Sequence, residues 1–263
     1  MSTSKDGLSF AGAMADTLRL PDEALAMSYI YLHKYKRFLK SSEAPDLLDQ
    51  YTLALATLSL ATKSTESPRR LREILLPAYR LLHNPSSGTH ATESQQPNLQ
   101  ATTDEPLRIP SSTYDTLRAT LVRAELIVLR VLGFDLRIPL PQDFLPRYLE
   151  RAMSDMLDGG RHAGDLEDYE AWPKEERDEY GVTGLMETGL GRACRASAME
   201  ACMSYDLANL YPARAVAAGC VWLNMEERGW NTGLETQKWL DRITSGKVDV
   251  EDLQEILAHL RTL

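Results

Sequence analysis

The sequence lacks most of the residue patterns that catalytic and metal-binding proteins display. Only three of its 263 residues are cysteines and five are histidines, and no two histidines stand at the i, i+4 spacing of a helical metal site. The G-x-S-x-G, H-E-x-x-H, P-loop and G-x-G-x-x-G motifs are all missing. We therefore expect no metal, no cofactor and no catalytic residue in this chain.

Composition disfavours two further classes of partner. No apolar run approaches the roughly 18 residues that a membrane-spanning helix needs. The net charge of −9 at pH 7 disfavours binding to a phosphate backbone. The three cysteines form no C-x-x-C pair, and an odd number suits no closed set of disulfides, so we expect buried thiols. We expect no membrane and no nucleic acid among the direct partners.

Two polar stretches interrupt the chain. The first, residues 84–110, is rich in Ser, Thr, Gln, Asn and Pro, and this composition predicts a flexible insertion. The second, residues 154–180, holds ten acidic and three basic residues, so it carries −7 of the net charge of −9. It divides the chain in two, and we assign an acidic connector to residues 154–184.

Outside these stretches, apolar residues recur with the period of an α-helix, and no alternating strand pattern appears. The helices predicted before the connector are Asp22–Leu39, Leu47–Ala61, one after Ser67-Pro68, one opening at Ser112 and one from Phe144 to Met156. Those predicted after it are Leu185–Leu207, one opening at Pro212, Leu234–Ile243 and Val250–Leu260. The helix opening at Ser112 has apolar residues on two faces, so we expect it to be buried almost all round. The predicted fold class is all-α.

The chain divides into two predicted helical domains. An N-terminal segment (1–20) precedes the first domain (21–153), and the connector (154–184) leads to the second (185–263). Sliding the first half by 162 residues places Leu55–Lys63 over Ala217–Met225, two helices that are rich in small residues. The identity is slight, but this overlay fits two stacked units of five helices each.

Two charged residues interrupt apolar surroundings. Lys63 ends the helix that contains Leu58-Ser59-Leu60-Ala61-Thr62, and Glu125 has apolar residues at positions i±3 and i±4. Spacing alone leaves two interpretations open. In the first, the Lys63 charge interacts with the dipole at the C-terminus of its helix, and Glu125 faces solvent. Alternatively, the two side chains pair across neighbouring helices, because an unpaired desolvated charge is costly, and there they can engage a partner.

The segments around these two residues resemble the signatures of the cyclin family. Residues 60–69, L-A-T-K-S-T-E-S-P-R, are similar to the signature LA-small-K-x-x-E-x-P-R/K. Residues 125–136, E-L-I-V-L-R-V-L-G-F-D-L, resemble the fourth-helix signature, a Glu followed by L-x-x-L-x-x-L-x-F-x-L. The resemblance covers Pro21–Leu149, while Leu185–Leu260 fits a second cyclin box only in pattern. Among the cyclin subfamilies, the chain most resembles the transcription-type cyclins, particularly the cyclin Q-like group.

The resemblance implies two tandem five-helix cyclin boxes, the second more divergent. It implies a regulatory subunit, not itself an enzyme, that forms a heterodimer with a cyclin-dependent serine/threonine kinase and activates it in transcription or cell-cycle control. Such a subunit acts in the nucleus, with the cytoplasm left open. The kinase-binding residues that carry over from the family are Lys63, Glu125, Leu60, Leu129, Phe134 and Leu136.

The sequence also departs from the family pattern. Ser64-Thr65 stand where a hydrophobic residue and a first acid usually follow the Lys, and the Met-Arg substrate-docking patch of cell-cycle cyclins is not recognisable. Met225 falls where the repeat would place a second Lys, so we expect no second kinase site. The alternative is a two-box helical scaffold, or a general-transcription-factor-like protein, that does not activate a kinase. The latter should show a zinc ribbon and a basic DNA-facing surface.

Overall fold

The computed structural model describes residues 3–83, 107–158, 184–229 and 233–263. Within these ranges the chain forms α-helices and one short 3-10 helix, and no strand, so the all-α prediction is confirmed. The chain forms two compact units, Met1–Leu136 and Arg137–Leu263. In the same ranges no helix is both long and apolar enough to cross a bilayer, and no cluster of three His, Cys, Asp or Glu side chains could hold a metal ion.

Five helices of the first unit are described. They are α1 (Thr3–Leu18), α2 (Asp22–Ser42), α3 (Gln50–Ser64), α4 (Leu71–His83) and α5 (Ser112–Val131). The central helix is α3, which packs against all four of the others. Its small and apolar residues fit this position, because residues 53–62 are all buried. Asp49 begins α3 by accepting hydrogen bonds from the backbone N–H groups of Tyr51 and Thr52, both at 3.0 Å.

The second unit has a similar plan. After a 3-10 turn (Pro141–Asp143) come α6 (Leu145–Asp158), α7 (Gly189–Met203), α8 (Tyr205–Leu210), α9 (Ala213–Glu227), α10 (Thr236–Thr244) and α11 (Val250–Leu260). The central helix is α9, which packs against α6, α7, α10 and α11. Residues 215–221 of α9 are buried without a break. Gly219 permits the close approach of α11, because a Cβ there would lie 2.6 Å from the Ile256 Cγ2 atom.

The faint internal repeat corresponds to these two central helices. The shift of 162 residues superimposes Leu55–Lys63 on Ala217–Met225, and these segments lie in α3 and α9. Both helices pack on neighbours on every side, so both need small and apolar residues around their whole circumference. Burial on all sides, rather than sequence identity, is what the two halves share.

The first unit differs from the first predicted domain by one helix at each of its two ends. Residues 3–18, predicted only as an N-terminal segment, form α1 and pack on α3. Helix α6, predicted to close the first domain, packs on α7, α9 and α10 in the second unit. The acidic stretch is the stronger break in composition, so composition predicts the division there. The predicted insertion and connector lie mostly outside the described residues, except that 107–110 and 184 are described and 154–158 complete α6.

The three cysteines are buried thiols of the second unit, as their number and spacing predicted. Burial raises the pKa of Cys194 and of Cys202 to about 12. Burial also raises the pKa of Cys220 well above its usual value. The thiolate is the reactive form of cysteine, and a raised pKa keeps these groups as neutral thiols. They therefore serve as small apolar core residues.

Candidate functional site

The two charged residues singled out in the sequence meet between α3 and α5. The Lys63 Nζ atom lies 2.8 Å from each oxygen of the Glu125 carboxylate, so the ammonium group donates to both. The two helices pack directly against each other. Of the two interpretations, the pair across neighbouring helices is therefore the one that the structure contains.

A third residue, Ser59, completes this group. Its hydroxyl donates to the Glu125 Oε1 atom at 2.5 Å, and the residue is fully buried. Ser59 is not among the predicted site residues, although Ser59 stands one helical turn before Lys63 and therefore lies on the same side of α3. The carboxylate thus accepts hydrogen bonds from two side chains of α3, which fixes its orientation.

The ion pair is unequally exposed. The Lys63 side chain is 44% exposed, whereas that of Glu125 is only 10% exposed. An ammonium group has three N–H donors, and two of them reach the carboxylate. This geometry lets Lys63 donate to an acceptor on a partner, while Glu125 holds the lysine in place.

We predict that Ser59→Ala lowers the free energy of unfolding by about 1.5–3 kcal/mol, the usual range for a hydrogen bond to a charged group. The change leaves a buried carboxylate oxygen with one donor fewer. Ser28→Ala is the matched control, because the Ser28 hydroxyl is equally buried but bonds only the neutral Thr57 hydroxyl, at 3.1 Å. Urea denaturation of both variants measures the difference. Equal losses would show that the carboxylate gains nothing special from Ser59.

The four predicted apolar residues do not share one environment. Leu60 is 2% exposed and belongs to the core of the first unit, so it presents no surface to a partner. Its place in the middle of the all-round buried α3 explains this. Leu129 and Leu136 are half-buried, and Phe134 is 63% exposed. Phe134 therefore projects most of its ring into solvent just after α5 ends.

Helix α5 is not buried almost all round, so that expectation is wrong. One apolar face, with Leu121, Ala124 and Val128, packs in the core. The other face carries Val122 and Leu126, which are 47% and 42% exposed, and the half-buried Leu129. We call these three residues the α5 stripe. Their i, i+4, i+7 spacing aligns them beside Glu125, and an apolar stripe that is partly open to solvent can serve as an interaction surface.

Comparison with known proteins finds cyclins. Over 124 residues, 47% of the chain, it is 26% identical to cyclin-T1-3 of Oryza sativa and covers 21% of that protein. Over 136 residues, 51% of the chain, it is 29% identical to cyclin-L1 of Gallus gallus and covers 21% of it. The chain thus spans about a fifth of the length of these relatives. No protein-family model matches it.

A solved structure shares the fold over nearly the whole chain. A chain of the crystal structure of the yeast RNA Pol II CTD kinase CTDK-1 complex matches with a TM-score of 0.62 and 14% identity. The match covers 98% of this chain and 65% of that one. The predicted resemblance to transcription-type cyclins is confirmed by these findings. The closer likeness to the cyclin Q-like group stays a prediction, because the relatives named here are T-type and L-type cyclins.

Proposed function

We propose that this chain is a cyclin that binds and activates a cyclin-dependent serine/threonine kinase. The observation that carries the proposal is the Lys63–Glu125 ion pair beside the exposed α5 stripe, on an all-α fold shared with a chain of a kinase complex. A cationic donor next to an apolar stripe suits one face of an amphipathic helix with free acceptors at its end. The mobile helix of a kinase, which must be held inward for activity, is the partner segment that we propose.

Each residue has a distinct part in this proposal. Lys63 donates to an acceptor of the kinase, and Glu125 and Ser59 hold the lysine in position. Leu129, Leu136 and the exposed Phe134 supply apolar contacts, and Val122 and Leu126 extend them along α5. The chain itself transfers no phosphate; it completes the active site of its partner by fixing the helix that bears the catalytic Glu.

The setting follows from the relatives. They are T-type and L-type cyclins, and the structural neighbour comes from an RNA polymerase II CTD kinase complex. We propose that this chain likewise serves a kinase that acts in transcription, and therefore in the nucleus. The RNA polymerase II CTD is the substrate to test first.

Phosphate transfer to a CTD peptide should be negligible with this chain alone, low with the kinase alone and at least about tenfold higher with the mixture. The kinase is obtained by affinity purification from the native cell, followed by identification of the bound protein. Transfer by the chain alone would contradict the proposal. Stable binding without activation would instead favour the helical scaffold.

A further inference from the structure

A buried hydroxyl connects two separate parts of the proposed kinase surface. Tyr31, in α2, is fully buried, and its hydroxyl donates to the Leu136 carbonyl oxygen at 2.8 Å. The same hydroxyl lies 3.0 Å from the Ser64 hydroxyl oxygen. Ser64 ends α3 directly after Lys63, and Leu136 is the last residue of the first unit. One phenol thus contacts both the end of α3 and the segment that follows α5.

The phenol is a neutral donor at physiological pH. Burial raises the pKa of Tyr31, and the negative charge of Asp135 raises it as well, while the hydrogen bond with Ser64 lowers it. The net shift is upward from a value near 10, so the hydroxyl keeps its proton. The hydroxyl can therefore donate to the Leu136 carbonyl throughout the neutral range.

The segment that this bond holds has an unusual backbone. Gly133 and Phe134 both have positive φ, at 63° and 60°. The left-handed region suits glycine but is uncommon for a residue with a bulky side chain. The Phe134 ring is 63% exposed, so burial of the ring does not hold this conformation. The Phe134 and Asp135 N–H groups bond back to carbonyls of Leu129 and Leu132. Tyr31 adds an attachment from α2.

We propose that Tyr31 is a positioning residue for kinase binding: its hydroxyl fixes Leu136, and with it the displayed Phe134, at a set distance from Lys63. The inference rests on the proposed function. Two parts of a binding surface that are already held in register lose less conformational entropy on binding. Tyr31 touches no partner; it acts through the residues that do.

The test compares Tyr31→Phe with Tyr35→Phe. Tyr35 lies in the same helix, is 1% exposed, and its hydroxyl donates to the Asp46 Oδ1 atom at 3.1 Å. Both changes remove one buried hydroxyl and keep the ring. Tyr31→Phe should weaken binding of the purified kinase by about five- to twentyfold, and Tyr35→Phe by less than about twofold. In the free chain, amide hydrogen exchange of residues 134–136 should speed up only in Tyr31→Phe.

The outcomes separate this inference from the proposed function. If the parent chain binds no kinase, both fall together. If the parent binds and Lys63→Ala weakens binding, but Tyr31→Phe binds like Tyr35→Phe, the positioning role alone is overturned. Equal weakening by both tyrosine variants would also overturn it, because loss of any buried hydroxyl would then explain the effect.

Discussion

Lys63→Ala should weaken kinase binding by about thirty- to several-thousand-fold and abolish activation at moderate kinase concentrations. Breaking a desolvated charge contact at an interface from one side costs about 2–5 kcal/mol, and each 1.4 kcal/mol is tenfold in affinity. In the free chain the change leaves the 10% exposed Glu125 carboxylate with Ser59 as its remaining side-chain donor, so the free energy of unfolding should also fall, by about 1–3 kcal/mol. Kinase affinity and melting temperature, measured on the same preparation, test both statements.

Lys238→Ala is the matched control. It removes the same charge from another ion pair, with Glu235 at 3.5 Å, in the second unit, and the Lys238 side chain is 72% exposed. Binding of the kinase should be unchanged. If Lys63→Ala binds the kinase as tightly as Lys238→Ala does, the proposed site is wrong even if the fold is right.

Glu125→Ala should also weaken binding, but by a different route and with its own loss of stability. It releases Lys63 from its fixed position and removes the acceptor of the buried Ser59 hydroxyl. A buried donor left without a partner costs about 1–3 kcal/mol. The double variant Lys63→Ala/Glu125→Ala should lose less affinity than the sum of the single variants, because both act through one contact with the kinase.

Sequence reasoning reached the charged pair but not its surroundings. Lys63 and Glu125 are recognisable because each interrupts an apolar pattern and each lies in a cyclin-like signature. Ser59 is not, since a serine in a small-residue helix looks like any other core residue until α5 packs on it. Apolar periodicity likewise cannot tell a core face from a partner face, so it wrongly predicts that Val122 and Leu126 are interior. The resemblance implies a kinase contact for Leu60, but this residue is only 2% exposed.

The helices themselves were largely predictable, and the grouping of helices was not. Val250–Leu260 has the predicted bounds, and α2 begins at the predicted Asp22. The predicted helix Leu185–Leu207 is instead interrupted at Ser204, whose hydroxyl accepts from the Leu207 N–H and begins α8. Helix α6 belongs to the second unit because it packs against α7, α9 and α10. Local apolar periodicity carries no information about such long-range packing.

Gly191→Ala should destabilise the second unit by about 3 kcal/mol or more, the upper range for overpacking. A Cβ at Gly191 would lie 2.2 Å from the Leu185 carbonyl oxygen and 2.6 Å from the Met186 Cα atom. These are backbone atoms, which cannot rotate away as the end of a side chain can. The Thr188 hydroxyl also donates to the Leu185 carbonyl and accepts from the Gly191 N–H, and these two bonds hold the turn in place. The unit should melt more than about 6 °C below the parent.

The expected sign is opposite to that of an ordinary helical glycine, and this contrast makes the experiment sharp. Alanine is favoured over glycine by about 1 kcal/mol inside a helix. Gly12, inside α1, is the matched control, because its Cβ would meet only the end of the Tyr29 side chain, at 3.3 Å. Gly12→Ala should change the melting temperature far less than Gly191→Ala does. If Gly191→Ala also melts at or above the parent temperature, residues 185–186 do not pack against the start of α7 in solution. The core of the second unit would then be looser than the structure describes.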